Sequence, residues 1–240
     1  MRIQAHRLPL LAVSVAVLAL AFPTVVFAAS GYSLFGDATL VSPGNASPTA
    51  VQLTSELSDS GFTFSGIDFA IPAGTTFADI QNLSTDYKFT AGSCGGGSPR
   101  FQINLTNGAS SGNVFVYIGP PPSYIGCPPN IWLNTGNLAS PVNLVDTSQL
   151  PLGMFYDPYL AAQAKYSGYT VTGIQLVADG GWAVAGNVQT VLADNVMINN
   201  TTYTFEGVDS CKKDGWQQFT TAPGPFKNQG ACVSYFSHNN

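Results

Sequence analysis

The chain has 240 residues, with 8 Lys and Arg against 13 Asp and Glu, a formal charge of −5 and a pI near 4.6. Only 9% of residues are charged and no basic run occurs, which excludes a nucleic-acid surface, where clustered cations must displace counterions. With 25 Gly and 16 Pro, the composition argues against a helical bundle and for short strands joined by turns.

The first predicted element is a leader. Arg2 and Arg7 supply positive charge, Leu8 to Ala29 carries none, and Val26-Phe27-Ala28 ends the run with small or modest residues. This pattern predicts a secretory signal over 1–28, cut after Ala28. An uncleaved anchor is the rival reading, since roughly 20 apolar residues span a bilayer, but Pro9 and Pro23 favour removal. The exported chain then keeps all its acids, with a charge near −7, and no membrane span. All four cysteines, Cys94, Cys127, Cys211 and Cys232, lie in that part, where an oxidising compartment favours disulfides. Three pairings are open. Cys94–Cys127 with Cys211–Cys232 is favoured, because each pair brackets its own segment. Zinc has little support: there is no C-x-x-C, and His238 is the only exported imidazole.

Tyr32 to Val41 reads as a first strand, closed by a turn at Ser42-Pro43-Gly44-Asn45. Ala50 to Thr54 alternates with period two. Phe62, Phe64 and Ile67, Phe69, Ile71 alternate in different phases, so Gly66 between them predicts a bulge or tight turn. Phe101, Ile103 and Leu105 alternate again, and Val114 to Ile118 is a continuous apolar run. From Gly119 to Pro129, five prolines predict a loop, pinned by Cys127 near Cys94-Gly95-Gly96-Gly97. A short helix is predicted over Pro158 to Tyr166, capped by Asp157 and ended by Gly168. Tyr169 to Ala178 and Gln189 to Ile198 are the strongest later strands, the second turning at Asn199-Asn200. About ten strands and one helix predict an all-β, antiparallel two-sheet, jelly-roll-like sandwich over 29–206. Residues 207–240 read as a small disulfide-tied C-terminal appendage resting on Trp216, Phe219 and Phe226.

Two resemblances follow. The run Gln189-Thr-Val-Leu-Ala-Asp194-Asn-Val-Met-Ile198 resembles the closing strand of galactose-binding-like jelly-roll carbohydrate-binding modules. Ile174 to Trp182 is similar to their penultimate strand and loop, and Ala50 to Ser55 to an early strand. The resemblance implies a glycan ligand and a structural calcium at Asp194, with Asp37 as first-strand partner. Cys211-Lys-Lys-Asp-Gly-Trp216 to Phe226-Lys-Asn-Gln-Gly-Ala-Cys232-Val is similar to a C-terminal segment, C-K-x-G-G-W…F-x-N-Q-G-x-C-V, that recurs in secreted bacterial proteins. It departs by placing Asp214 where Gly is common, and it implies export rather than a chemistry.

Nucleophile–histidine catalysis has little material, because His238 sits at the chain end and no G-x-S-x-G occurs. A glycosidase or lyase needs only two carboxylates, for which Glu56 and Glu206 are the Glu candidates. Calcium suits a secreted sandwich rich in oxygen donors. Sugar binding asks for aromatic faces in loops, for which Tyr124, Trp132, Tyr156, Tyr159 and Trp182 are the candidates. The expectation is a secreted or cell-surface, non-catalytic sandwich whose partner is an extracellular glycan or envelope component. A structural or adhesive envelope protein, its appendage docking to a partner, is the alternative, and a carboxylate-dependent glycosidase the third.

Overall fold

The computed structural model describes residues 31–58, 61–180, 187–220 and 223–239. The predicted leader over 1–28 and Trp182 lie outside the described residues. In chain order, β1 (Tyr32–Gly36) and β2 (Thr39–Val41) precede β3 (Ala50–Ser55), a ribbon of β4 (Leu57–Ser58) and β5 (Gly61–Phe62), and β6 (Ser65–Phe69). Then come β7 (Leu83–Ala91), β8 (Arg100–Thr106), β9 (Ser111–Tyr117), β10 (Leu133–Asn134), β11 (Leu144–Val145), β12 (Asp157–Pro158) and helix α1 (Tyr159–Lys165). The sandwich closes with β13 (Thr170–Ala178), β14 (Gln189–Ile198) and β15 (Thr201–Tyr203), and helix α2 (Gln229–Asn239) ends the chain.

One sheet has the order β1-β6-β13-β8-β9, the other β10-β7-β14-β3-β2 with β15 on β14. Every ladder is antiparallel. Taken alone, β6-β13-β8-β9 face β3-β14-β7-β10, the winding of a jelly roll. The fold is therefore an all-β, antiparallel two-sheet sandwich. Its core follows from period two: Leu83, Thr85, Tyr87 and Phe89 of β7 point inward, as do Phe101, Ile103 and Leu105 of β8.

Both favoured disulfides are present, Cys94–Cys127 with Cα atoms 5.3 Å apart and Cys211–Cys232 at 5.7 Å. Several elements depart from the reading. Tyr32 to Val41 is two strands, because the chain leaves one sheet at Gly36-Asp37 and enters the other. Gly66 lies within a regular ladder rather than at a bulge. Its hydrogen is required by close approach: a Cβ there would lie 2.3 Å from the Phe35 ring and 2.7 Å from the Leu176 carbonyl. Asp157 does not cap α1. It is buried in β12, accepting from Thr147 Oγ1 at 3.0 Å and paired with Lys165. The appendage contains a second helix where only one helix was expected in the chain, and Asn228 Oδ1 accepts from Ala231 N–H at its start.

Candidate functional site

A carboxylate cluster and a cleft meet where β14, β15 and the appendage converge. Asp194 on β14 stands opposite Asp86 on β7. One extra residue on β14 between Asp194 and Met197 makes a bulge, with Asn195 left-handed at φ 46°. That bulge turns the Asn195 N–H onto Asp194 Oδ1 at 2.7 Å and its amide onto Asp86 Oδ2 at 2.7 Å. The Ser42–Ser47 loop folds over the pair. Asp194 Oδ2 accepts from Asn45 N–H at 2.7 Å and Ser47 Oγ–H at 2.8 Å, and the Asn45 amide donates to Asp86 at 2.9 Å. Asn134 on β10 donates to Asp86 Oδ1 at 2.7 Å. Asp194 is fully buried, and that burial outweighs its three donors, pushing its pKa up to about 6.

Glu206, just past β15, is the opposite case. It is 8% exposed, and neither carboxylate oxygen has a hydrogen-bond partner. Burial is the main cause that pushes its pKa up to about 7, with the nearby Asp194 carboxylate adding to the rise. Nearby Thr204, Ser47 and Thr49 groups pull it partly back. A buried carboxylate whose donors are poorly aligned holds its proton better than it holds a charge.

Beside Glu206 runs a cleft of about 680 Å³ between the sandwich and the appendage. Tyr32 and Phe205, edge to face at 5.0 Å, form an apolar wall, while Ser42, Gln218, Lys212 and Lys213 supply polar groups. Lys212 pairs with the exposed Asp209 at 2.6 Å; Lys213 is exposed and left-handed at φ 49°. The two walls are tied by Thr49 Oγ1 to Ser210 Oγ at 3.0 Å and by Thr220 N–H to the Ala46 carbonyl at 3.4 Å.

The aromatic candidates are not assembled into one groove. Tyr124 is buried, its hydroxyl bonded to Asn143 Oδ1 and the Leu144 carbonyl at 3.0 Å. Tyr159 is buried too, and donates to the Ile80 carbonyl at 3.0 Å. Both hold loops down, so neither offers a ring face to a sugar, a correction to the reading of them as ligand residues. Trp132 is half-buried beside β10, with Lys88 Nζ 5.0 Å from its ring centroid. Tyr156 is 61% exposed, on the other sheet's flank. The Asp194–Asp37 pairing is corrected as well. Val41 stands level with Asp194 across Ala50, whereas Asp37 is exposed beyond the opposite end of β2. Calcium held by those two residues does not fit, because Asp37 is distant and protein donors already fill Asp194. Among the described residues no group of three His, Cys, Asp or Glu side chains is placed to hold a metal.

Glu56 and Glu206 are also kept apart. Glu56 follows Ser55, which pairs with Gln189, whereas Glu206 sits by Asp194. Those points on β14 are roughly 17 Å apart at ~3.4 Å per residue, beyond the ~5–10 Å separations that glycoside hydrolysis uses. Asp86 and its loop partner Asn45 escaped the sequence reading. The alternation of Leu83, Thr85, Tyr87 and Phe89 marks β7 and hence Asp86, but nothing local announces a bond between residues 45 and 194.

No protein-family model matches the chain, and no curated protein matches it. No described helix is long and apolar enough to cross a membrane.

Proposed function

We propose that this is an exported sandwich that binds an extracellular glycan or surface polymer in the cleft between its second sheet and its appendage. The cleft itself carries the reading. At about 680 Å³ it falls within the size range of small-ligand sites, and it sets an aromatic wall against amide, hydroxyl and ammonium groups, the mixture that sugar recognition uses. Its walls come from a rigid sheet edge and a disulfide-closed unit, so little ordering is lost on binding. The neighbouring carboxylates act structurally: buried Asp194 and half-buried Asp86 clamp the Ser42–Ser47 loop that forms one lip.

The test is a glycan array read with the intact exported protein, followed by calorimetry on any glycan retained. Gln218→Ala and Lys213→Ala are expected to weaken binding by about fivefold to fiftyfold, the loss of one polar contact each. Binding that survives both variants, or an array with no retained glycan, would sink the proposal.

A further inference from the structure

Cations are scarce in the exported chain. Removal of Arg2 and Arg7 with the predicted leader leaves six against 13 acids. Three of the six are engaged away from the cleft: Arg100 pairs with Asp179, Lys165 pairs with Asp157, and Lys88 lies over the Trp132 ring. Lys212 and Lys213 both line the cleft between the second sheet and the appendage. Among the described residues Lys213 has no ion-pair partner. Lys212 holds only Asp209, and the two side chains are 59% and 89% exposed. Exposed pairs of this kind are weak, so an incoming anion can draw Lys212 away.

The acids of the cleft do not cancel these charges. Its lining carboxylates are Asp209 and Glu206. Asp209 offsets one ammonium. Glu206, whose carboxyl burial pushes up to about 7, keeps its proton in mildly acidic water. One ammonium is left in surplus on this wall, in a molecule whose exported charge is near −7. By contrast, the hollow of about 250 Å³ between Ile71, Asn199 and Tyr203 has Asp79 as its charged residue and no cation among the described residues.

The cleft also has an uncharged annex. A hollow of about 370 Å³, lined by Gly44, Ser47 and Thr220, shares Ser42 and Gln218 with it as a common rim. Hydroxyls and one amide line the annex, with no charged side chain among the described residues. We infer that the cleft takes an acidic oligosaccharide, with a carboxylate or sulfate against Lys212 and Lys213 and the next ring reaching past Gln218 toward Thr220. Tyr32 and Phe205 offer the apolar wall for a ring face. The inference rests on the reading of this cleft as a glycan site and narrows it from glycans at large to anionic ones.

Calorimetry on the intact exported protein at about pH 6, where Glu206 holds its proton, tests this with two matched pairs. One is an oligogalacturonate and its methyl ester, the other a carrageenan oligosaccharide and its desulfated form. The charged member of at least one pair is expected to bind about tenfold more tightly, an advantage lost when salt is raised to about 0.5 M. Lys213→Asn, which suits the left-handed backbone at φ 49°, is expected to weaken that binding about fivefold or more. Lys213→Arg should keep it within about twofold. Lys227→Gln, which removes an appendage charge that does not line the cleft, should leave it unchanged. Thr220→Trp, filling the annex, should weaken a tetrasaccharide more than a disaccharide. Equal affinity for the charged and neutral members overturns the inference and leaves the glycan cleft standing. A preference for charge that Lys213→Asn does not reduce overturns it too. Failure of all four probes, beside a neutral glycan retained on the array, has the same meaning, whereas an array that retains nothing takes both readings down.

Discussion

The sandwich and the appendage solve the same problem by different means. In the sandwich, two facing sheets bury Phe69, Phe77, Phe89 and Phe101 almost completely. The buried glutamines there are matched: Gln163 donates to the Phe77 and Ile80 carbonyls, and Gln189 to those of Ser93 and Ser98, while Asn82 Oδ1 and Arg100 Nε have no partner. The appendage has a core of Cys211, Phe219, Cys232 and Phe236, with Trp216 and Phe226 only partly covered. So small a unit buries too little apolar surface to stand without covalent closure. The seam between them carries its own strain, for Glu206, a buried carboxylate with neither oxygen in a well-formed hydrogen bond, sits where the two units join.

The largest effect belongs to the sandwich. Phe101→Ala removes a ring with no exposed surface from the middle of the first sheet and is expected to cost about 3–5 kcal/mol, read from urea unfolding. Removing the appendage's staple should cost somewhat less and stay local. Cys211→Ser with Cys232→Ser opens a loop with a sequence separation of 21, worth about 3 kcal/mol in the chain-entropy account. Hydrogen exchange is expected to rise across 208–239 while β7, β13 and β14 keep their protection. Equal loss of protection in both regions would show one cooperative unit and erase the distinction.

The same contrast governs what was legible in the sequence. Ala50–Ser55, Phe101–Leu105 and Gln189–Ile198 each carry enough alternation to be read as half-buried strands, and cysteine order suggested both bridges. The β11–β12 ribbon was not legible, because two-residue strands such as Leu144–Val145 have no period to display. Tyr124 and Tyr159 misled for a related reason. A tyrosine in a loop reads the same whether its hydroxyl meets a ligand or a carbonyl, and here each meets a carbonyl. The appendage helix was hidden by its sequence, which begins Gln-Gly and lacks a continuous apolar stripe. The Asn45–Asp194 clamp joins residues 149 apart, a separation no local pattern encodes.

At the seam, Glu206 gives a pH signature. Its folded value of about 7 lies above the ordinary 4.5, so the unfolded chain releases the proton first as pH rises. Stability is therefore full below about pH 4.5, falls between 4.5 and 7, and levels off above, for a total on the order of 3 kcal/mol. Asp194 adds a fall of the same sign between 3.8 and about 6. Glu206→Gln should remove the upper part of the decline and raise the melting temperature at pH 8. If millimolar calcium restores the parent's stability at pH 8 and has no effect on Glu206→Gln, a cation replaces the proton on this carboxylate.

The smallest effect tests the appendage's backbone. Lys213 and Asp214 are successive left-handed residues at φ 49° and 64°, inside the turn closed by Gly215 N–H on the Lys212 carbonyl. Glycine meets no steric penalty there, though it has more freedom to lose from the unfolded chain. Aspartate tolerates this region better than lysine, so relief should be larger at 213 than at 214. Lys213→Gly is expected to slow exchange in the appendage by an amount worth about 1 kcal/mol, and Asp214→Gly by about 0.5 kcal/mol. Neither change should move the sandwich's own melting transition, because the strain is confined to a unit that the disulfide, rather than the sheets, holds together.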